Sequence, residues 1–377
     1  MSCARPPVRD ARRVVVKVGT RVLTGPAGKI ALSRLFDVVE ALAEARAAGR
    51  EVLLVTSGAV GLGREALGLA EAPSELSDRQ ACAAIGQSRL MGLYQEGFAR
   101  LGLLCAQVLL SDDDFAARER YLNLRGALTN LLERGVVPVI NENDVIATAE
   151  LALDPDRRVF GDNDGLSAQV AVKLGAELLV LLTDVPGVFA RDPRMDPDAP
   201  LVARIDDPER LDVETGKTTG TGRGGMRSKV RAAAMAARSG CHAVIGTGLV
   251  HGNLGRILAG EEIGTWFPMT GTLPARARWI AFATKPAGRL HLDAGAERAV
   301  RERGASLLAS GVTEVEGEFD RGDVVELVGP AGQVLGRGIV QVDAAAARAW
   351  REGHAPEATK NRDALVHRDD LVLEAHA

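Results

Sequence analysis

Short apolar runs separated by longer helical stretches fix the kind of fold this chain can adopt. Val14–Val18, Glu51–Thr56, Leu104–Leu110, Val136–Ile140, Leu178–Thr183 and His242–Gly246 read as strands, being short and rich in Val, Leu and Ile. Between them, Leu32–Ala48, Asp78–Leu101, Arg118–Arg134, Asn163–Leu174 and Gly225–Ser239 carry amphipathic or alanine-rich helical patterns. Gly240 follows the last of these where a left-handed cap stops a helix. Strands without polar alternation are buried on both faces, and strands joined through helices run parallel. The pattern predicts an α/β fold of three layers, with helices on both sides of a mostly parallel central sheet. Aromatic residues make up 3% of the chain, so the cores must be built from Ala, Val, Leu and Gly.

After about residue 270 the rhythm changes to short strands punctuated by glycine. Asp323–Val328, a turn at Gly329-Pro330-Ala331-Gly332 and then Gln333–Val342 predict a hairpin in a second, β-rich domain. A chain of 377 residues has room for two domains. The expected division is a flexible tail over 1–13, an α/β domain over 14–270, a linker over 271–285 and a small β-rich domain over 286–377. The net charge of −4 gives no overall basic field for nucleic acid or an anionic membrane, which favours a small substrate. Cys3, Cys82, Cys105 and Cys241 form no C-x-x-C pair, so neither a zinc site nor a disulfide framework is signalled. Apolar runs such as Leu178–Leu182 fall short of the roughly 20 residues a membrane span needs. The first thirteen residues hold four arginines and two prolines but no apolar core of a secretory signal, and a cytoplasmic protein is expected.

In an open parallel sheet, ligands bind beyond the carboxyl ends of the strands. Those ends lead into Lys17-Val18-Gly19-Thr20, Thr56-Ser57-Gly58-Ala59, Asn141-Glu142-Asn143-Asp144 and Thr183-Asp184. Any one of these alone reads as an ordinary polar turn; four at one edge point to an active site. Phosphate needs backbone N–H groups without side chains in the way. Gly19, the Gly58, Gly61 and Gly63 set, and the Gly220, Gly222, Gly224 and Gly225 set are candidates. The last contains G-x-G-x-x-G but follows a polar segment rather than a strand, so it is a poor dinucleotide fingerprint, and no P-loop is present. Phosphoryl transfer is achieved by positioning and by cancelling charge on the moving group. Lys17, which interrupts an apolar strand, and Lys229, in the first turn of a helix behind a glycine-rich stretch, are the two lysines in a suitable frame. Gly161-Asp162-Asn163-Asp164 opens a helix whose carboxylates would hold lysines or a metal. Asp164 is suited to orient the lysines and Asp144 to bind an ammonium group.

Several motifs together resemble the glutamate 5-kinases, the γ-glutamyl kinases of proline biosynthesis within the amino-acid kinases. They are Val16–Thr20, Val55–Ala59, Gly86-Gln87-Ser88, Pro138–Asp144, Gly161–Asp164, Leu182-Thr183-Asp184 and Gly224-Gly225-Met226 with Lys229. The resemblance implies an amino-acid-kinase fold, ATP with Mg²⁺, γ-glutamyl phosphate as product, inhibition by proline and assembly as a dimer or tetramer. It implies that Lys17 and Lys229 stabilise the transferring phosphoryl while Asp164 organises them, and that Ser57, Asp144 and Asn163 hold glutamate. Nucleotide binding falls to Lys17, Gly19, Thr183, Asp184, Gly224, Gly225, Met226 and Lys229, and no residue is a metal ligand. Gly304–Leu308, Phe319–Asp323 and Val366–Asp370 resemble the PUA module, a small β-barrel that binds RNA in other proteins. RNA binding is not assigned here, since stacking aromatics are few and acids mix with the arginines. Arg223 and the charged run Asp154–Arg158 depart from the family pattern. The competing readings are a kinase of the same fold acting on acetylglutamate, aspartate or a nucleotide, and an RNA-binding protein with a vestigial kinase half.

Overall fold

A computed structural model describes residues 5–25, 29–71, 73–111, 113–116, 118–146, 163–193, 195–196, 198–207, 225–271, 280, 286–352 and 364–373. The chain forms two compact units, Met1–Ser111 with Arg125–Thr272, and Asp112–Leu124 with Leu273–Ala377.

The first unit is built on β1 (Arg13–Val18), β2 (Glu51–Val55), β3 (Cys105–Leu110), β4 (Val137–Glu142), β5 (Leu178–Thr183), β6 (His242–Thr247) and β7 (Thr265–Phe267). Their order is β3-β4-β2-β1-β5-β6-β7. Every neighbouring pair is parallel except β6 with β7. The six strands expected from the sequence are present, each within two residues of its expected bounds. The antiparallel β7 escapes detection because three residues are too few to display a period. Pro138 is tolerated inside β4 because its ladder with β2 begins only at Val139.

Sequence periodicity selects which helix faces are buried. In α1 (Leu32–Ala47) the buried positions Leu35, Val38, Val39, Leu42 and Ala45 make one apolar stripe. Two helices cross at backbone contact: α2 (Ala59–Ala66) and α3 (Leu76–Arg100). A Cβ on Gly63 would stand 1.8 Å from the Cys82 carbonyl oxygen, and one on Gly86 would stand 1.7 Å from that of Ala59. Further along the chain, α4 (Asn163–Leu174) is buried nearly all round. On α5 (Met226–Arg238), Lys229 heads the buried stripe Ala232, Ala233, Ala236 and Ala237. Gly240, just beyond α5, has a φ of +81°, the left-handed turn expected there.

Of residues 5–13, expected within a flexible tail, Arg5, Val8 and Ala11 are buried. Val8 is fully buried in a short helix, Pro6–Arg9. Arg5 donates to the backbone oxygens of Ile263, Gly264 and Ala203, and its guanidinium lies 5.8 Å from the centre of the Trp266 ring. Composition concealed this, because an arginine that satisfies backbone carbonyls is indistinguishable in sequence from a solvated one.

The second unit has five strands, β8 (Gly288–Leu292), β9 (Val312–Gly317), β10 (Val324–Val328), β11 (Val334–Val340) and β12 (Val366–Leu373), ordered β12-β11-β10-β8-β9. The expected hairpin is β10–β11, antiparallel, with Gly332 left-handed in its turn. Leu290, Val300, Leu327, Ala347 and Leu365 belong to its separate core.

Candidate active site

Strands β4, β2, β1 and β5 are consecutive parallel neighbours. The four polar segments that follow them therefore emerge along one edge of the sheet, where ligands of such folds bind. Lys17 is the fifth residue of β1, level with Val55 on one side and Leu181 on the other, and is buried. A lysine held among such neighbours requires a counter-charge.

Asp164, in the first turn of α4, supplies it. Lys17 Nζ lies 2.6 Å from Asp164 Oδ1, and Lys229 Nζ donates to Asp164 Oδ2 at 2.9 Å. The carboxylate is fully buried and the two lysine side chains are 5% and 7% exposed. Burial alone would push the Asp164 carboxyl up, but the neighbouring ammoniums of Lys17 and Lys229 hold it at about 2. Two cationic groups carried by β1 and α5 are thus fixed on the two oxygens of one carboxylate. Such a pair is suited to polyanionic oxygens, whose negative charge it meets in a site from which water is largely excluded.

Beside this triad runs a chain of buried amides. Asn163 Nδ2 donates to Ser57 Oγ at 2.9 Å and to Asn141 Oδ1 at 3.1 Å. Asn141 Nδ2 in turn donates to Gln87 Oε1 at 2.8 Å. Next to Ser57, the Thr56 and Tyr94 hydroxyls share a hydrogen bond of 2.8 Å. Ser57 and Asn163, expected to act together, are in direct contact. Gln87, Asn141, Thr56 and Tyr94 carry no role in the sequence reading. A signal for Gln87 existed: it interrupts the small and apolar stripe Ala83, Gly86, Leu90 of α3 just as Lys17 interrupts β1.

Asp144 sits two residues beyond β4 and is half-buried. Thr183 ends β5, and its hydroxyl donates to Asp184 Oδ1 at 3.0 Å. Arg21 donates to Asp184 Oδ2 at 3.1 Å. Burial would raise the Asp184 carboxyl, yet the hydrogen bonds from Arg21 and Thr183 keep it below the ordinary carboxylate range. The Gly19 N–H donates to the Leu182 oxygen at 3.3 Å, joining the ends of β1 and β5. A Cβ on Gly19 would lie 3.6 Å from Lys17 Nζ, so this backbone flanks the ammonium. Gly225 and Met226 form the start of α5, one turn ahead of Lys229. Gly224, Arg223 and the run 151–159 lie outside the described residues.

A parallel α/β sheet whose carboxyl edge holds a carboxylate between two buried lysines has the makings of a phosphoryl-transfer protein. Comparison with known proteins gives the class directly. Residues 12–247 match the amino acid kinase family and residues 288–360 match the PUA domain. The chain is 46% identical over 382 residues to the glutamate 5-kinase of Myxococcus xanthus, covering 99% of both chains. It is 44% identical to those of Moorella thermoacetica, with 97% of each chain covered, and of Methylococcus capsulatus, with 96% of this chain and 97% of that one covered. Among solved structures, one of isopentenyl phosphate kinase overlaps 68% of this chain and 99% of its own, at 21% identity and a TM-score of 0.47. The chain belongs to the amino acid kinase family, in its glutamate 5-kinase branch.

Proposed function

We propose that this protein transfers the γ-phosphoryl group of ATP to the side-chain carboxylate of L-glutamate, releasing ADP and γ-glutamyl phosphate, the first step of proline biosynthesis. The carboxylate is already a competent nucleophile, so the reaction needs neither a covalent enzyme intermediate nor a general base. One bond forms, from an oxygen of the glutamate side-chain carboxylate to the γ-phosphorus, as the bond from that phosphorus to the leaving β-phosphate oxygen breaks. Negative charge spreads over the migrating group meanwhile, and a fixed pair of ammoniums meets it without reorganisation. The observation that carries this reading is Asp164 held between Lys17 and Lys229.

In this reading Ser57, Asn163 and Asp144 bind glutamate, with Asp144 as counter-charge to its ammonium. Gly19, Thr183, Asp184, Gly225, Met226 and Lys229, together with Gly224, receive the nucleotide. Mg²⁺ would arrive on the phosphates of ATP as part of the substrate. Asp164 is committed to two lysines and Asp184 to Arg21, so neither is a suitable protein ligand for it. Free proline slows the reaction as the product of the pathway. The protein acts in the cytoplasm as a dimer or tetramer. Among the described residues no helix is long and apolar enough to cross a membrane.

A coupled assay of ADP release with free glutamate, with and without proline, tests the reading. Turnover with glutamate and little with N-acetylglutamate, aspartate or a nucleoside monophosphate supports it. Equal rates with N-acetylglutamate would remove the free-ammonium site. Light scattering reads the assembly.

A further inference from the structure

The amide chain ending at Ser57 has a direction that its own members cannot set. A primary amide turned through half a circle exchanges a donor for an acceptor while filling the same space. Asn163 uses Nδ2 twice, toward Ser57 Oγ and Asn141 Oδ1, which aims its Oδ1 the other way. That oxygen is buried and has no hydrogen-bond partner among the described residues. The hydroxyl of Ser57 both donates and accepts, so it does not decide the orientation of Asn163. Asn141 does decide it, by presenting Oδ1. Asn141 presents Oδ1 on that side because its Nδ2 is taken up by Gln87 Oε1.

The helix that carries Gln87 is held from outside the chain of amides. It lies on the buried stripe of α3, whose crossing with α2 leaves no room for a Cβ at Gly63 or Gly86. Two turns further along the same helix, Tyr94 ties α3 to Thr56 beside Ser57. A rigid helix therefore carries the acceptor at the far end of the chain, Gln87 Oε1, while Gln87 Nε2 is buried with no hydrogen-bond partner among the described residues.

We infer that Gln87 is a positioning residue for substrate selection: through Asn141 it holds the amide of Asn163 with Oδ1 presented as an acceptor for the ammonium of the amino-acid substrate. The inference rests on the proposal that glutamate binds at Ser57 and Asn163. An amide turned over at Asn163 would face that ammonium with two N–H donors, a like-signed contact in a buried site. A buried polar group aimed at a substrate NH is also what allows an enzyme to reject an analogue that lacks it.

The test compares glutamate with glutarate, the same dicarboxylate without the ammonium, as acceptors for the full-length protein and three variants. Gln87→Met keeps the volume and removes the acceptor. It is expected to raise the KM for glutamate and to cut the glutamate-to-glutarate ratio of kcat/KM by about tenfold, leaving the KM for ATP unchanged. Gln87→Glu keeps an acceptor opposite Asn141 Nδ2, and its ratio is expected within about threefold of wild type. Gln87→Leu gives a second apolar replacement, read with the thermal midpoint of each protein, so poor folding of one variant does not decide the outcome. A folded Met or Leu variant with the wild-type ratio would overturn the inference, as would loss of the ratio in Gln87→Glu. A wild-type protein that does not prefer glutamate over glutarate would instead strike the substrate assignment itself.

Discussion

Lys17 at the end of the first strand and Asp164 in the first turn of α4 meet at 2.6 Å, both buried. This contact ties β1 to the helix that also supplies Asn163, and it orders the site from both ends. On one side Asp164 places the two ammoniums. On the other, the residue before it reaches Ser57 and Asn141. In the proposed reaction, phosphoryl transfer and acceptor binding would therefore be organised by adjacent residues of one helix.

Asp164→Asn keeps the shape of the side chain but leaves two buried ammoniums without their carboxylate. Breaking a buried pair in this way costs about 3–5 kcal/mol, to be read from urea unfolding of wild type and variant. The effect has a defined pH dependence. Asp164 titrates at about 2 in the folded protein against 3.8 ordinarily, so the stability it confers is complete above 3.8 and is lost as the pH falls through about 2. The gap between wild type and variant should stay constant above pH 3.8 and narrow below it, by about 2.5 kcal/mol in all; a gap that narrows toward neutral pH would contradict the ion-pair account.

Gly86→Ala should be among the most damaging single-methyl additions in the first unit. The new Cβ would fall 1.7 Å from the Ala59 oxygen, which is backbone and has nowhere to turn. Overpacking costs about 1–3 kcal/mol or more, and here it also pushes α3, with Gln87 and Tyr94, away from the site. Thermal unfolding and the KM for glutamate should both worsen, whereas Gly92→Ala on the same helix, with open space at its Cβ, should be nearly neutral.

Asp144→Ala should raise the KM for glutamate by about tenfold or more while leaving kcat nearly unchanged, because a counter-charge to the ammonium acts equally in ground and transition states. Steady-state kinetics at saturating ATP separate the two. A fall in kcat alone would move Asp144 out of the acceptor site.

Much of this architecture is legible in the sequence. The six parallel strands announce themselves because strands buried on both faces are continuously apolar, and Lys17 stands out because it breaks one. Lys229 and Asp164 are recognisable as first-turn residues of helices. Local pattern is silent on three other features. Helix α2 is rich in glycine, and its propensity argues against a helix that only the close approach of α3 sustains. Strand β7 is too short to show a period. The pairing of Gln87 with Asn141 joins segments far apart in the chain, and neither residue type signals it alone. Arg5 shows the same limit, because its partners are backbone carbonyls, which every sequence has.

The central claim is that two lysines fixed on one carboxylate stabilise the migrating phosphoryl group, and steady-state kinetics of Lys17→Ala and Lys229→Ala with glutamate test it most directly. In variants that keep the wild-type circular dichroism, kcat should fall by about 10²-fold or more while the KM for glutamate stays within about threefold. A normal kcat in either variant, with the loss confined to KM, would contradict it.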